Sequence, residues 1–482
     1  MTGRYTVPGA CHSVGLPRLH DLLTDLAEPI REERGWDTIS WEMDCLPSGE
    51  YRLVVFKQSV GRVTSAGGGY QIVLDPACRL PQPGLRQEAC TSAPAGDPES
   101  ATGLFRTYLD RRAAVLGHRE ELPPPATSQA LDAAEQRIGR TLPADLRALY
   151  LIADGDAVGL DARYLIDGYT WLSLDSVVRE YGEGSQRPWS GWDLEWDAVV
   201  FDATPADTVR RCAGHPDWIR FASGEDGNYL AVDMAPARDG RPGQVIVTGC
   251  DYDDGPAYVA DSVTSLVRDH IDLLEKGAYE YEEEDDYLCL LRERRDARTR
   301  QIIGGIPDEV PATLQAIHIN DAAGPVDLRP LGAAPGLRLL HLNRSRTADL
   351  TPVRDLPVES LRVVLDGGDL TPLAGHPHLT ALDVSTTAPA DLTPLHSLPH
   401  MHGLDLAGAD VRDLTVLAGL PNLRYLALDQ RQWAVLLRDG KLPPALAAVR
   451  LAGDDVTIED ALTLASRLGL DTGAALRVAG TL

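Results

Sequence analysis

The feature that most constrains this chain is a repeat in its last third. Five units of the approximate form Asp-Leu-x-Pro-Leu follow one another at intervals of 22, 20, 22 and 22 residues, and they begin at Asp327, Asp349, Asp369, Asp391 and Asp413. Between them lie apolar segments with the spacing Leu-x-x-Leu-x-Leu, such as Leu337-Leu340-Leu342. A unit of this length cannot bury its leucines alone, so neighbouring units must stack and share one core.

This pattern resembles leucine-rich repeats, whose period and consensus it matches. The resemblance covers most of residues 301–482 and implies a solenoid of about seven repeats with a parallel concave sheet. Seven strands about 4.8 Å apart would span roughly 30 Å, which is enough for a partner's loop or helix. The segment at Leu361 departs from the pattern, since Leu365 stands where a polar residue is expected. Outward positions on this sheet, which could bind a partner or simply be structural, are His318, His341, Asp383, Asp405, Tyr425, Asp429 and Arg450.

Charge is unevenly distributed. The 482 residues include 45 basic and 72 acidic side chains, a formal net charge of −27. Residues 121–300 alone hold 36 of the acidic and 18 of the basic side chains. This excess argues against direct nucleic-acid binding, which needs a basic face.

Two compositional breaks give the expected domain boundaries. A proline-rich run at 122–128 reads as a stiff linker, and a strongly charged run at 279–300 reads as a solvated connector whose charges could pair along a helix. The prediction is a multidomain α+β protein with an α/β solenoid: a small α+β domain of unclear family at 1–116, an α+β domain at 127–277, a charged connector at 278–300 and the repeats at 301–482.

Within the first segment, leucine spacing predicts a helix over 16–34 that ends at Gly35. Strands are expected at 38–41, 51–56 and 71–74, and a closing helix at 105–116. Residues 80–103, rich in Pro, Ala, Gly and Ser, are predicted to be a mobile loop. In the second segment, a strand is expected at 198–201 among several others.

The sequence also indicates a compartment. No segment reaches the roughly 18 apolar residues of a membrane helix, and the first five residues lack the apolar stretch of a secretory signal. The seven cysteines are irregularly spaced and include no Cys-x-x-Cys pair. These features predict a cytoplasmic protein with thiols, rather than a membrane protein, a disulfide framework or a zinc site.

Several motifs of the middle segment occur in a characteristic order along the chain. Two helices joined through Leu142-Pro143 precede the strand motif Phe221-x-x-Gly224-x-x-Gly227-Asn228-x-Leu230-x-x-Asp233, and a helix capped by Ser262 follows. This order resembles the SUKH superfamily, which includes the fungal cell-wall assembly regulator. The resemblance implies an α+β domain that binds proteins. It also implies a link to bacterial immunity proteins that neutralise polymorphic toxins, often nucleases, and no enzymatic activity is established for the superfamily.

Candidate partner-binding residues of this segment fall into three groups. Gly224 and Gly227 suit a tight turn, so the residues between them are either structural or exposed for contact. An acidic turn after strand 244–247 resembles a calcium loop, but it is too short and lacks the closing glutamate. Tryptophans among carboxylates are common at recognition surfaces, although they also anchor loops. The candidates are Trp189, Trp192, Trp196, Glu225, Asp226, Asn228, Asp251, Asp253 and Asp254.

Catalytic, cofactor and metal motifs are missing from the sequence. It has no Gly-x-Ser-x-Gly elbow and no His-Glu-x-x-His helix. The pairs His376-x-His378 and His400-x-His402 lack a carboxylate or cysteine to complete a metal site. We therefore expect a non-enzymatic protein, without cofactor or metal, that neutralises a basic toxin through its acidic SUKH-like domain. The alternative is a regulatory scaffold that recruits endogenous partners through its repeats.

Overall fold

The structure is a computed structural model of the whole chain. It describes residues 2–6, 25, 27–45, 48–57, 62–65, 68–80, 83–156, 164–166, 168–184, 196–224, 226–252, 254–282, 287–292, 299–439 and 441–481. By contacts, the chain forms two compact units. The first unit contains residues 1–78, 191–198 and 298–482, and the second contains residues 79–190 and 199–297.

Strands alternate with short helices and 3-10 turns along the chain. The strands are β1 (Thr2–Thr6), β2 (Ile39–Cys45), β3 (Glu50–Lys57), β4 (Arg62–Ser65), β5 (Gly69–Val73), β6 (Thr170–Trp171), β7 (Trp218–Ser223), β8 (Asn228–Asp233), β9 (Gln244–Gly249), β10 (Ala257–Ala260), β11 (Tyr279–Glu282), β12 (Tyr287–Leu290), β13 (Thr299–Ile303), β14 (Ala316–Asn320), β15 (Leu339–Thr347), β16 (Ser360–Leu365), β17 (Ala381–Thr386), β18 (Gly403–Asp405), β19 (Tyr425–Asp429), β20 (Ala448–Ala452) and β21 (Leu476–Thr481). The helices with given bounds are α1 (Pro98–Leu116), α2 (Ser128–Ile138), α3 (Ala144–Tyr150), α4 (Leu174–Gly184), α5 (Val263–Glu275), α6 (Gln430–Asp439) and α7 (Ile458–Arg467).

The repeats of the first unit form the predicted leucine-rich-repeat solenoid. Strands β13 to β20 lie side by side in chain order, and each pair is parallel. The strand leucines face the core, and Leu340, Leu382 and Leu404 are fully buried. The fold class predicted for this region is therefore confirmed.

The repeated aspartates have a local structural role. The carboxylate of Asp349 accepts a hydrogen bond from the backbone N–H of Thr351, at 2.8 Å, and Asp391 does the same with Thr393, at 2.9 Å. Each such contact starts a 3-10 turn in which the proline lies at the beginning, where its missing N–H leaves no bond unmade. The following apolar residue, such as Val353 or Leu395, is buried in the shared core.

Residues 1–78 belong to the same compact unit as the repeats. Strand β5 pairs antiparallel with β20 and carries β4 at its outer edge, so the solenoid sheet has ten strands within the described residues. A second sheet has the order β1-β2-β3-β21. Because Phe56 and Ile72 are buried in the solenoid core, this segment packs with the repeats. The domain boundary predicted at residue 116 remains a prediction, because it concerns which segments fold independently.

Two expectations for the N-terminal part differ in outcome. Residues 27–34 are helical and are followed by Gly35 with a φ of +64°, whereas residues 16–24 lie outside the described residues. The loop predicted over 80–103 is wrong at its end, over residues 98–103, since helix α1 begins at Pro98. The side chain of Asp97 caps this helix by accepting from the N–H of Ser100, and proline is tolerated in a first turn.

The second unit has a mixed α+β architecture. Its antiparallel sheet has the order β10-β9-β8-β7-β6. Helices α1, α2, α3 and α5 supply residues to the core against this sheet, among them Phe105, Leu131, Leu146 and Leu266. Thr127 and Ser262 cap α2 and α5 through their side chains, as expected for those residue types.

Two elements of the second unit differ from their predictions. Residues 279–282 and 287–290 form the paired antiparallel strands β11 and β12 rather than a helix, because Leu288 and Leu290 alternate toward the core at the period of a strand. The strand predicted at 198–201 is absent. Residues 199–201 are buried but irregular, and the N–H of Phe201 donates to the carbonyl of Asp254 at 2.6 Å.

Candidate functional site

The concave face of the solenoid carries a continuous row of side chains that are polar at every position but one. Each residue of this row is paired in register with the next across neighbouring parallel strands. We call it the concave row. It consists of His318, His341, Arg362, Asp383, Asp405, Ala427 and Arg450.

A second row, two residues earlier on each strand, is mostly small. Ser360, Ala381, Gly403 and Tyr425 are paired in register across β16 to β19. Small side chains leave space above the sheet beside the single large ring of Tyr425. The small residues therefore form a flat surface, the floor, next to the charged part of the concave row.

Trp196 lies on that floor. Its ring stacks on Tyr425, with the centroids 4.6 Å apart and the planes at 6°, and only 7% of the tryptophan is exposed. A Cβ atom at Gly403 would lie 2.5 Å from Cε3 of Trp196, so any larger residue there would displace the ring. Nε2 of His402 donates to the carbonyl oxygen of Trp196 across 3.2 Å.

Asp197 contacts the concave row directly. Its carboxylate accepts from Nη2 of Arg362 at 3.1 Å and lies 3.9 Å from Nε2 of His341. Arg362 also donates through Nε to Asp383 at 2.9 Å. One guanidinium therefore joins a carboxylate of the sheet to the carboxylate that follows Trp196.

The carboxylates of this face are hard to ionise. Burial raises the pKa of Asp383 to about 6, with Asp405 adding to the shift and Arg362 opposing it. Burial also raises the pKa of Asp197 and of Asp405. Burial lowers the pKa of His341 to about 3, so this ring is neutral at pH 7 and bonds Ser360 at 2.8 Å. Arg362 is thus the cation that faces Asp197.

On this face the structure brings together seven of the residues predicted from sequence: Trp196, His318, His341, Asp383, Asp405, Tyr425 and Arg450. Sequence reasoning missed Arg362, which lies in the repeat with the irregular spacing, and Gly403. The signal for Arg362 was its register with the other outward positions. Trp189, Trp192, Glu225 and Asp253 lie outside the described residues.

Two other predicted residues, which we call the acidic pair, lie close together: Asp226 in the turn between β7 and β8, and Asp251 in the segment that follows β9. Asn228 is 4% exposed, and its Nδ2 donates to Asp226 at 2.8 Å and to Asp251 at 2.7 Å. Its Oδ1 accepts from the N–H of Asp251 at 3.1 Å. Asn228 therefore holds the turn, while the two carboxylates remain on the surface.

The other predicted residues lie apart from these sites. Asp254 is exposed, and Asp429 accepts from the N–H of Gln432 at 2.7 Å at the start of α6. His376 is buried, with Nε2 donating to the carbonyl of Leu356 at 3.0 Å. Across the described residues, no group of three His, Cys, Asp or Glu side chains is placed to hold a metal ion. Within the same residues, none of the helices has the length and apolar character needed to span a membrane.

Comparison with known proteins identifies the middle of the chain. The profile of the SMI1 / KNR4 family (SUKH-1) matches residues 125–269. The regulator of cell wall biosynthesis and the cell cycle, smi1, of Schizosaccharomyces pombe is 29% identical over 178 residues, which are 34% of each chain. The cell wall assembly regulator SMI1 of Saccharomyces cerevisiae is 31% identical over 85 residues, 17% of each chain. The chain therefore carries a SUKH domain, as predicted, and the two matches cover 34% and 17% of these relatives.

Solved structures were also compared with the chain. A crystal structure of internalin C2 from Listeria monocytogenes covers 24% of this chain and 52% of its own, with 26% identity and a TM-score of 0.22. The leucine-rich-repeat architecture is established by the strand register and by the buried leucines of this chain.

Proposed function

We propose that this chain is a non-catalytic, cytoplasmic binding protein that captures a basic protein, as immunity proteins capture toxins, through the acidic surface of its SUKH domain. The observation that carries the proposal is the acidic pair. Asn228 holds the carboxylates of Asp226 and Asp251 next to each other at an exposed turn.

Holding two like charges together has an electrostatic cost, which the two amide hydrogen bonds offset. The resulting paired carboxylates suit the planar guanidinium of an arginine, which recognises such groups with two hydrogen bonds. The surrounding charge supports the same conclusion, since residues 121–300 hold twice as many acidic as basic side chains. Long-range attraction would speed and orient capture of a basic partner such as a toxic nuclease domain.

The test begins with affinity capture from the native host at low and moderate salt. A single near-stoichiometric basic partner, toxic when expressed alone and harmless when co-expressed with this chain, is the expected result. The variant Asp226→Asn/Asp251→Asn should then slow association about tenfold or more at low salt. The matched control is Asp391→Asn/Asp413→Asn, which removes the same charge from solenoid turns where asparagine also caps. Equal association rates for the two variants would contradict the proposal.

A second candidate is a regulatory scaffold. It is favoured by the printed names of the relatives, which are regulators of cell wall biosynthesis and assembly. A scaffold would capture several endogenous proteins and give no protection against any of them. Capture that requires the repeats and is unaffected by Asp226→Asn/Asp251→Asn would favour this candidate.

A further inference from the structure

We propose that the concave face of the solenoid is a recognition site for a protein segment that carries an aromatic residue followed by a carboxylate. In the free chain, Trp196 and Asp197 occupy this site as an internal ligand. This inference does not rest on the proposed function, because it concerns the first compact unit and a partner of different chemistry.

The aromatic part of the site is shaped for a flat ring. Gly403 stands where a Cβ would come within 2.5 Å of the Trp196 ring, and Tyr425 provides the parallel face against which the ring stacks. His402 donates to the backbone carbonyl that follows the ring, which fixes the direction of the bound segment. These contacts recognise an aromatic residue and its own peptide group, and none of them requires the remainder of this chain.

The carboxylate part of the site is equally specific. Arg362 reaches Asp197 at 3.1 Å while Asp383 holds the other side of the guanidinium at 2.9 Å. Arg362 is therefore fixed in position for an incoming carboxylate. The remaining titratable and charged neighbours are Asp405, which lies 3.7 Å from Arg450, and the imidazoles of His318 and His341, whose pKa values burial lowers.

The internal ligand is placed so that a competing segment can replace it. The contacts that hold it come from two consecutive side chains and one carbonyl group. Docking Asp197 also adds a third carboxylate to a face that already contains Asp383 and Asp405, and this raises the pKa of Asp383 further. Perturbed pKa values occur in structural ion-pair networks as well as at functional sites, so the contacts of Trp196 and Asp197 carry the proposal.

The test uses the full chain and a fluorescein-labelled peptide that copies residues 194–200 (Leu-Glu-Trp-Asp-Ala-Val-Val). We expect the vacated variant Trp196→Ala/Asp197→Ala to bind this peptide at least about tenfold more tightly than the wild-type chain. The reason is that a tethered segment competes at an effective concentration in the millimolar range. Adding Arg362→Met to the vacated variant, or replacing the tryptophan of the peptide by alanine, should abolish binding.

Three results would overturn the proposal: equal affinity of the wild-type and vacated chains, no binding by the folded vacated chain, or binding that survives Arg362→Met. Should the vacated variant not fold, the wild-type chain labelled with 5-fluorotryptophan decides the question. Its Trp196 fluorine signal, assigned by its loss in Trp196→Phe, should move to the position of an exposed ring when unlabelled peptide is added at millimolar concentration. A signal that stays in place would show a permanent internal contact and refute the proposal.

Discussion

Replacing Gly403 by alanine tests the contact at the concave face most directly. The added Cβ would lie 2.5 Å from Cε3 of Trp196, about 1 Å closer than the usual contact between carbon atoms. The backbone of Gly403 is not left-handed, so alanine itself is tolerated there. The strand neighbours hold the sheet in place, and Trp196 therefore has to move.

The size of the effect follows from the burial of the ring. Trp196 is only 7% exposed, and burying a whole tryptophan of roughly 200 Å² contributes about 5 kcal/mol at about 25 cal/mol per Å². This figure is an upper value, because the displaced ring can keep part of its contact with Tyr425. We expect Gly403→Ala to lower the free energy of unfolding of the first unit by about 2–4 kcal/mol.

Fluorine NMR of the chain labelled with 5-fluorotryptophan separates the local from the global effect. The Trp196 signal reports displacement of the ring, while the signal of Trp433, which is buried in the solenoid core, reports unfolding in urea. The matched control is Gly332→Ala, where an added Cβ has no neighbour within 4 Å. When Gly403→Ala is added to a chain that already carries Trp196→Ala, the further loss of unfolding free energy should be below about 1 kcal/mol. An unchanged Trp196 signal in Gly403→Ala, or an equal cost in both backgrounds, would refute the reasoning.

Three further predictions concern stability. Arg112→Met should destabilise the second unit by about 3–5 kcal/mol in urea unfolding, because the Glu120 carboxylate, which is 5% exposed, loses its ion pair. The double variant Arg112→Met/Glu120→Gln should recover most of this loss. Folding raises the pKa of Asp383 from 3.8 to about 6, so the folded state binds the proton more tightly than the unfolded state does. As the pH rises from 4 to 6, the free energy of unfolding of the wild type should therefore fall by up to about 3 kcal/mol relative to that of Asp383→Asn. Parallel curves of unfolding free energy against pH for the two proteins would contradict this. Asn228→Ala should cost roughly 1–3 kcal/mol by urea midpoint, because the N–H of Asp251 loses its acceptor and each carboxylate of the acidic pair loses the hydrogen bond from the amide. A neutral outcome would show that the turn does not depend on the amide.

The solenoid could be predicted from the sequence because its information is local. A period of about 22 residues places Leu340, Leu382 and Leu404 at equivalent positions, and burial of leucines has no other solution at that spacing. The turn around Asn228 was predictable for the same reason, since glycines and an asparagine specify a tight turn by their own backbone preferences. In both cases the residues that determine the structure lie close together in the chain.

Contacts between distant segments could not be derived in this way. Trp196 was a candidate because of its acidic neighbours, but the ring that receives it, Tyr425, lies 229 residues further along the chain. Similarly, Phe56 and Ile72 have the alternation of any half-buried strand, and nothing in that pattern indicates that they would join the core of the repeats. Alternation specifies that a face is buried and leaves open which surface covers it.

The chain thus combines two candidate recognition surfaces whose chemistry is opposite. The acidic pair presents carboxylates to a cation of the partner, whereas the concave face presents Arg362 to a carboxylate. Salt acts differently on the two, because Asp226 and Asp251 are exposed to screening ions, whereas the side chain of Asp197, which Arg362 contacts, is only 15% exposed. A partner that binds the SUKH domain alone should therefore be released by moderate salt, and one that displaces Trp196 should be retained. Salt dependence measured on wild-type chain and on Arg362→Met distinguishes which surface a given partner uses.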